Sequence, residues 1–568
     1  MKILLINPPV EDFYFTPQRA YPLGLLYLAA ALETAGFTAG VLNCPVESGK
    51  TTLKIPQEFR YLVKYYQQNK SPFRLFSNYY YFGLSSEEIR QRIKDFFPDV
   101  VGISSNFLPY YDSAGKIAQI TKSVDKRIVT VIGGRVPTAI PDFVLKNREI
   151  DYLIRGEAEE SFRELCAAMQ NGKIKKIRGL CYRAKGKLII DENIALIEKL
   201  DTLNFPQRTL IDNSFYKFKG LTSASLISSR GCSLSCGFCA IGEKFRTRSA
   251  ENVLREIEEM HKTGIRHFDF EDDNINLNPE FEKILDLLIE KFNGKIKISF
   301  MNGLLAKGLN KNLQEKLFSA GLTHIDLSII SSDKLLRKEA RRKEKPGDIF
   351  SLVTQMAGKK MPATVHFIVS LPHQDVKSCL SDLKLLAKER VYLGPSIFYP
   401  VIESKFFSAL KKEFPITRED YRFFRSSCAC FDKSIPRDKI FSVFYFARII
   451  NFLKEVIDIF SLNGNGFPDF LKEKTREIKI NPHGISSDKK IDRRTLGLIL
   501  MQKMLTEHTI FRVEEKSSAK SFTYCFFPEK FVNQKLLKSF FEGLKISGVY
   551  SDHSIEIKIL ARATRKRR

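Results

Sequence analysis

The stretch Leu226-Ile-Ser-Ser-Arg230-Gly-Cys232-Ser-Leu-Ser-Cys236-Gly-Phe-Cys239 decides how this chain is read. It places three thiols within eight residues, just after a short apolar run. Leu226–Ser228 is expected to be a strand, and Ser229-Arg230-Gly231 the turn that leaves it. Clustered thiolates are soft ligands, suited to iron–sulfur clusters or zinc. Three of them leave a position open on a fourth metal atom, which a reacting metal needs. Buried cysteines without a metal are common, and part of a zinc site would look similar. The tight spacing at a strand-to-loop junction favours ligands.

Outward from this stretch, strand and helix patterns alternate between residues 221 and 405. Ile265–Phe270, Ile296–Phe300, His324–Ile329, Thr364–Val369 and Ser396–Tyr399 follow as strands. Six strand–helix units predict a partial or full (β/α) barrel, with its active site at the strand C-termini. Residues 1–186 alternate in the same way. Ile3–Ile6, Thr38–Leu42, Asp99–Ser104, Ile128–Ile132 and Asp151–Ile154 read as strands of a doubly wound parallel sheet, whose ligand sits beyond the strands' carboxyl ends. Residues 46–85 form an insertion rich in Tyr, Phe and Lys without periodicity, and 187–220 a linker. The fold class is therefore α/β, with a C-terminal region, 406–568, to which the pattern assigns no fold.

Composition narrows the class further. The chain has 568 residues, 43% of them hydrophobic, which excludes a disordered or collagen-like protein. Ten cysteines are too few for a disulfide scaffold at this length. Lys and Arg exceed Asp and Glu by 91 to 65, a net charge of +26. No apolar stretch is long enough to span a bilayer, so a cytoplasmic, reducing location is expected. Two further thiols, Cys428 and Cys430, sit one residue apart and read as ordinary buried cysteines, as does Cys525. The five basic residues from Arg562 to Arg568 read as a solvated tail.

The Cys232-x3-Cys236-x2-Cys239 motif resembles the signature of the radical SAM family, and Phe238 stands where that family usually has an aromatic. Arg246-Thr-Arg248-Ser249, then a helix over Glu251–Thr263 capped by Ser249 and stopped by Gly264, is similar to the family's first helix. The resemblance implies that Cys232, Cys236 and Cys239 hold a [4Fe–4S] cluster. It implies that S-adenosylmethionine chelates the fourth iron and is cleaved to a 5′-deoxyadenosyl radical. By the same resemblance Glu271, Asp272 and Asp273 fall in the loop facing the methionyl group. Ser328 and Ser331 flank a position where the family often has Glu and this chain has Ile330. Ser370 stands for the usual glycine near the adenine, and His373 reads as a surface histidine.

Asn7-Pro8, Leu23-Gly24, Ser104-Ser105, Gly133-Gly134 and Gly156-Glu157 fall at successive strand ends. Together they look like the cobalamin-binding domain that precedes many radical SAM barrels, small residues allowing a flat corrin to approach the backbone. Residues 1–170 contain no histidine, so no axial imidazole comes from this region. The resemblance implies a cobalamin-dependent radical SAM enzyme that methylates an unactivated centre of a metabolite, lipid or peptide, drawing electrons from a flavodoxin- or ferredoxin-type reductant. A methylthiotransferase-like RNA-modifying enzyme is one alternative, but its second cysteine trio is missing and nucleic acid is not an expected partner. A non-enzymatic cobalamin or cluster sensor is another, and it needs no open iron.

Overall fold

The computed structural model describes all residues except 173–175, 242–243, 358–360, 461–466, 477–479, 482, 519–520, 546–555 and 558–568. The basic tail lies outside the described residues. The N-terminal sheet has seven strands, in the order Lys187–Ile189, Leu180–Ala184, Tyr152–Ile154, Val129–Gly133, Val100–Ser104, Lys2–Asn7, Thr38–Asn43. The last five run parallel. Alternate side chains pack on opposite faces: Leu4, Ile6, Val101, Ile103 and Ile132 enter one core, and Ile3, Leu5, Val100, Val131 and Ile154 the other. Continuous apolar strands are what a sheet covered on both faces requires. The strand order reverses between Lys2–Asn7 and Val100–Ser104, so the crevice beyond Asn7 and Ser104 is the switch point. The antiparallel hairpin at 180–189 was not expected from the pattern; its outer strand is short and exposed and carries no alternation.

The barrel strands are Leu221–Leu226, His267–Phe270, Lys297–Phe300, Ile325–Ile330, Ala363–Val369 and Tyr392–Ile397. They pair in parallel as two groups of three. Bridges from Ile298 to Leu322 and from Leu304 to Leu327 join the halves. Two boundaries differ from expectation. The first strand ends at Leu226, so Ser228 already belongs to the cysteine loop, and the last begins at Tyr392.

The insertion is not irregular throughout. Val10–Asp12, Tyr79–Phe82 and Lys50–Leu53 form an antiparallel sheet, and its order comes from aromatic packing rather than periodicity. Phe13 meets Tyr66 edge-on at 4.9 Å and Tyr79 at 5.1 Å. The C-terminal region holds a 24-residue helix, Arg437–Phe460, the helices Arg493–Glu507 and Gln534–Gly543, and a four-stranded antiparallel sheet. One hydrophobic core runs from the barrel through the insertion into this region, joining Leu226, Phe268 and Val365 to Phe59, Phe441 and Ile450. Among the described residues no helix is long and apolar enough to cross a membrane.

Candidate metal centre and cofactor crevice

The cysteine loop is clamped from below by a carboxylate. Asp272, buried at the end of the second barrel strand, accepts the Ser228 amide (2.9 Å to Oδ2), the Ser228 hydroxyl (2.7 Å) and the Ser229 hydroxyl (2.5 Å). Both its oxygens are thus engaged by the loop, and it shapes the loop rather than facing a ligand. From above, the Gly237 amide donates to Ala340 O (2.9 Å), and a Cβ on Gly237 would lie 2.8 Å from the Phe406 ring. Phe238 packs beside Phe398 and Leu371.

Each sulfur meets an N–H donor. Leu234 N lies 3.4 Å and Asn274 Nδ2 3.2 Å from Cys232 Sγ, Ile241 N 3.4 Å from Cys239 Sγ, and Arg342 Nη1 3.7 Å from Cys236 Sγ. Such donors stabilise thiolate charge and tune a metal's potential. Among the described residues no three His, Cys, Asp or Glu side chains converge on a single ion. In a cluster each thiolate takes its own iron. Three thiols in one loop, each with an N–H donor at its sulfur, fit a [4Fe–4S] group. Asn274 and Arg342 were not foreseen, because nothing in the local sequence ties residues 42 and 106 positions away to a sulfur.

The lumen-facing residues of the barrel strands are polar. Glu271 is pushed up to about 7, first by burial and then by the fields of Asp269 and Asp272. Burial likewise raises Asp269 to about 6, against a 2.5 Å bond from the Ser299 hydroxyl. Asp326 Oδ1 lies 2.9 Å from His366 Nε2 and 3.6 Å from His324 Nε2, and these imidazoles hold it well below the usual carboxylate range despite burial. The alternation Asp326-Leu-Ser328 and Thr364-Val-His366 is the signal that could have found this cluster. Asp273 is half-buried beside the loop. Ser328 accepts Arg342 Nη2 at 3.0 Å. Two expected contacts are turned inward. Ser331 donates to Asp382 (2.9 Å) and Ser370, at φ +67°, to Phe431 O (2.8 Å), and both are fully buried. Their hydroxyls serve the strand ends. His373 is exposed beside Glu339 and Glu413.

In the N-terminal sheet, Ser104 pairs with Gly133 at the strand ends. The chain turns there at Gly134, φ +113°, where a Cβ would sit 2.7 Å from Ser105 O. The Ser105 hydroxyl is buried and has no partner among the described residues. A Cβ on Gly133 would meet nothing closer than 4.0 Å, and one on Gly24 nothing at all. Asn7 Nδ2 is bonded to Asn43 Oδ1 (2.8 Å) and Ala20 O (3.2 Å), Pro8 is half-buried, and Leu23 opens the helix Leu23–Thr34. An orphaned hydroxyl beside open glycines fits a large flat ligand such as a corrin. Gly156 and Glu157 do something else. Gly156 presses on Ala195, its missing Cβ only 2.2 Å from Ala195 O. Glu157 takes Arg246 in a two-pronged bond (2.7 Å each), and the Ile197 amide at 2.7 Å. These two residues join the sheet to the barrel.

The same junction reaches the cysteines. Arg230, two residues before Cys232, bonds Glu159 (2.6 Å), lies 3.4 Å from Glu157 and covers the Tyr27 ring. Arg135, directly after Gly134, acts electrostatically on both Cys239 and Glu403. Tyr399 is 38% exposed, yet burial raises its phenol, and its charge neighbours are Tyr14, Arg19, Cys430 and Cys239. The Tyr399 ring thus stands within electrostatic reach of Cys239 on one side and of Tyr14 and Arg19 on the other.

Residues 16–166 match the B12 binding domain family model, and residues 226–386 the radical SAM superfamily model. An uncharacterized methyltransferase of Pyrococcus horikoshii, PH0819, is 27% identical over 312 residues, 54% of this chain and 67% of that protein. The cytidylyl-2-hydroxyethylphosphonate methyltransferase of Streptomyces wedmorensis is 29% identical over 312 residues, 48% of this chain and 55% of its own length. The chain thus spans little more than half of that second relative. In fold it is similar to the radical S-adenosylmethionine methyltransferase TsrM of Kitasatospora setae, solved with cobalamin and a [4Fe–4S] cluster. That likeness has a TM-score of 0.55 at 15% identity, over 72% of this chain and 78% of that one. The thiolate loop and the glycine-lined crevice fall in the two matched regions: the chain carries a segment similar to the B12 binding domain, residues 16–166, ahead of one similar to the radical SAM superfamily, residues 226–386.

Proposed function

We propose that the chain is a methyltransferase that moves a methyl group onto an unactivated centre of a small molecule. One observation carries the reading: the sheet that ends in the switch-point crevice is ion-paired to the cysteine loop's own strand, Arg230 holding Glu157 and Glu159 and Arg246 holding Glu157. When bound, the cluster with S-adenosylmethionine supplies a hydrogen-abstracting radical, and cobalamin a methyl group. The chain's own residues divide the remaining work. Cys232, Cys236 and Cys239 would hold the cluster, with Asn274 and Arg342 donating to their sulfurs. Glu271, Asp273 and Ser328 would line the S-adenosylmethionine side. Asn7, Ser104, Ser105, Gly133 and Gly134 would shape the corrin crevice. Glu271, with its raised pKa, can hold a proton near neutral pH and so accept or donate a hydrogen bond to a cationic or neutral ligand group. Electrons would come from an acidic flavodoxin- or ferredoxin-type protein drawn to the basic surface.

The test is anaerobic reconstitution. Bound iron of roughly four per chain, a corrin absorption spectrum and 5′-deoxyadenosine release are expected. Label from the S-adenosylmethionine methyl group should appear on the bound corrin. Absence of the cluster, or release without any corrin methylation, would overturn the reading.

A further inference from the structure

A second polar centre lies outside the cysteine loop and the crevice, on the helix Arg437–Phe460. Phe441, Tyr445, Arg448 and Phe452 recur at spacings of four, three and four, so they share one face of that helix. The insertion packs on that face at both ends. Tyr65 and Tyr66 meet Phe441 at 4.5 and 5.6 Å, and Phe73 meets Phe452 edge-on at 5.2 Å. Arg448 lies between these contacts on the same face, within electrostatic reach of Tyr66 and Arg74. The helix Arg493–Glu507 closes the third side, since a Cβ on its Gly497 would lie 2.4 Å from Phe452 and 3.2 Å from Pro72. Arg493 is one turn before Gly497, and Arg74 directly follows Phe73.

Arg448 makes no hydrogen bond and no ion pair among the described residues. The acids nearby are engaged elsewhere: Glu529 with the Tyr445 hydroxyl, and Glu455 with Arg494 at 3.7 Å. Arg74 gives one bond, to Asn69 O at 2.9 Å, and is otherwise exposed, as is Arg493. Burial, and then the fields of Arg74 and Arg493, hold the Arg448 guanidinium below its usual range. A half-buried guanidinium that feels two more and meets no acid is stabilised when an anion joins it.

We propose that Arg448, Arg74 and Arg493, with the Tyr66 and Tyr445 rings as walls, form a binding site for a phosphoryl group. Three neighbouring guanidinium groups can donate to the oxygens of a tetrahedral dianion, and Arg448 is half-buried while Arg74 and Arg493 are exposed, so the ion can reach them. The site does not depend on the cofactor reading, because none of these residues lies in the cysteine loop or the crevice.

The test uses the reconstituted full chain in melting experiments, with inorganic phosphate, phenyl phosphate and acetate as probes and potassium chloride at matched ionic strength as control. Phosphate should raise the melting temperature saturably, because it binds the folded state alone, while acetate and chloride should do far less. Arg448→Met should raise the half-saturating phosphate concentration by about tenfold or more. It should melt no lower than the parent chain in phosphate-free buffer, since an uncompensated charge is removed. If that variant fails to fold, the rim variant Arg74→Gln/Arg493→Gln, at exposed positions, should weaken phosphate several-fold. An unchanged phosphate response in whichever variant folds, or a response that chloride reproduces, overturns the proposal. Tighter binding of phenyl phosphate marks a site for a phosphate ester on a larger molecule, and tighter inorganic phosphate a site for the free ion. Iron content and 5′-deoxyadenosine release, measured in parallel, should not change, which separates this site from the catalytic reading.

Discussion

The two parallel sheets of this chain both place their candidate sites beyond strand C-termini, but they build them from opposite materials. The N-terminal crevice is made of backbone and absent side chains: Gly133, Gly134, Gly24 and one orphaned hydroxyl on Ser105. The barrel end is made of side chains: three thiols, Asp272 beneath them and donors aimed at sulfur. A large preformed ligand is held by shape, so the protein removes atoms to admit it. A cluster assembled on the protein needs ligands, so the protein supplies them and fixes their loop. Gly156 and Glu157 lie on the sheet side but follow the barrel's rule, because they connect the two.

That contrast can be broken at its strongest point by Cys239→Ala. Iron binding and 5′-deoxyadenosine release should be abolished, while corrin retention by the sheet stays near the parent value. Loss of both together would show that the two sites are not built independently. Next in size is Gly134→Val. Its φ of +113° and the 2.7 Å approach to Ser105 O leave no room for a branched Cβ. Corrin absorbance per chain should fall several-fold with iron content unchanged; retained corrin would refute the shape argument. Arg230→Met attacks the junction. It strands the buried Glu159 carboxylate, while Glu157 keeps Arg246; losing one partner of a buried pair costs about 3–5 kcal/mol, so a melting temperature lower by several degrees is expected in calorimetry. Restoring neutrality with Glu159→Gln should recover part of the loss.

The smallest effect is the pH dependence of Glu271. Its carboxyl titrates near 7 when folded and near 4.5 when not, so the folded chain holds more protons between these values. Stability is therefore fully present below about 4.5 and declines as pH rises toward 7. Glu271→Gln in the cofactor-free chain should flatten that part of the melting-temperature profile. A slope identical to the parent's would show that Glu271 is not desolvated.

Local signals were legible wherever the physics is local. The cap of Ser249 on the Asn252 amide, the stop at Gly264 and the thiol spacing each depend on a few consecutive residues, and the first helix begins and ends within one residue of expectation. What stayed hidden was set at long range. Asp272 was expected among the ligand contacts because an acid at a strand end looks available, and only the fold shows Ser228 and Ser229 occupying it. The hydroxyls of Ser331 and Ser370 were taken inward in the same way, by Asp382 and Phe431 O. In the insertion the order lies in ring-to-ring contacts between residues such as Phe59 and Phe423, which leave no period in the sequence.

The shared core that joins barrel, insertion and C-terminal region bears on how the molecule comes apart. The N-terminal sheet keeps two cores of its own, while a larger one runs through the other three parts, beside a small cluster around Phe398, and takes in Leu26 and Tyr27 of the helix Leu23–Thr34. Opening that larger body at any point exposes apolar surface belonging to all of it, so its amides should exchange with solvent as one cooperative unit. The sheet can breathe separately, hinging at the salt-linked junction around Glu157. A corrin could then enter or leave by local opening of the smaller body, without disturbing the thiolate loop in the larger one.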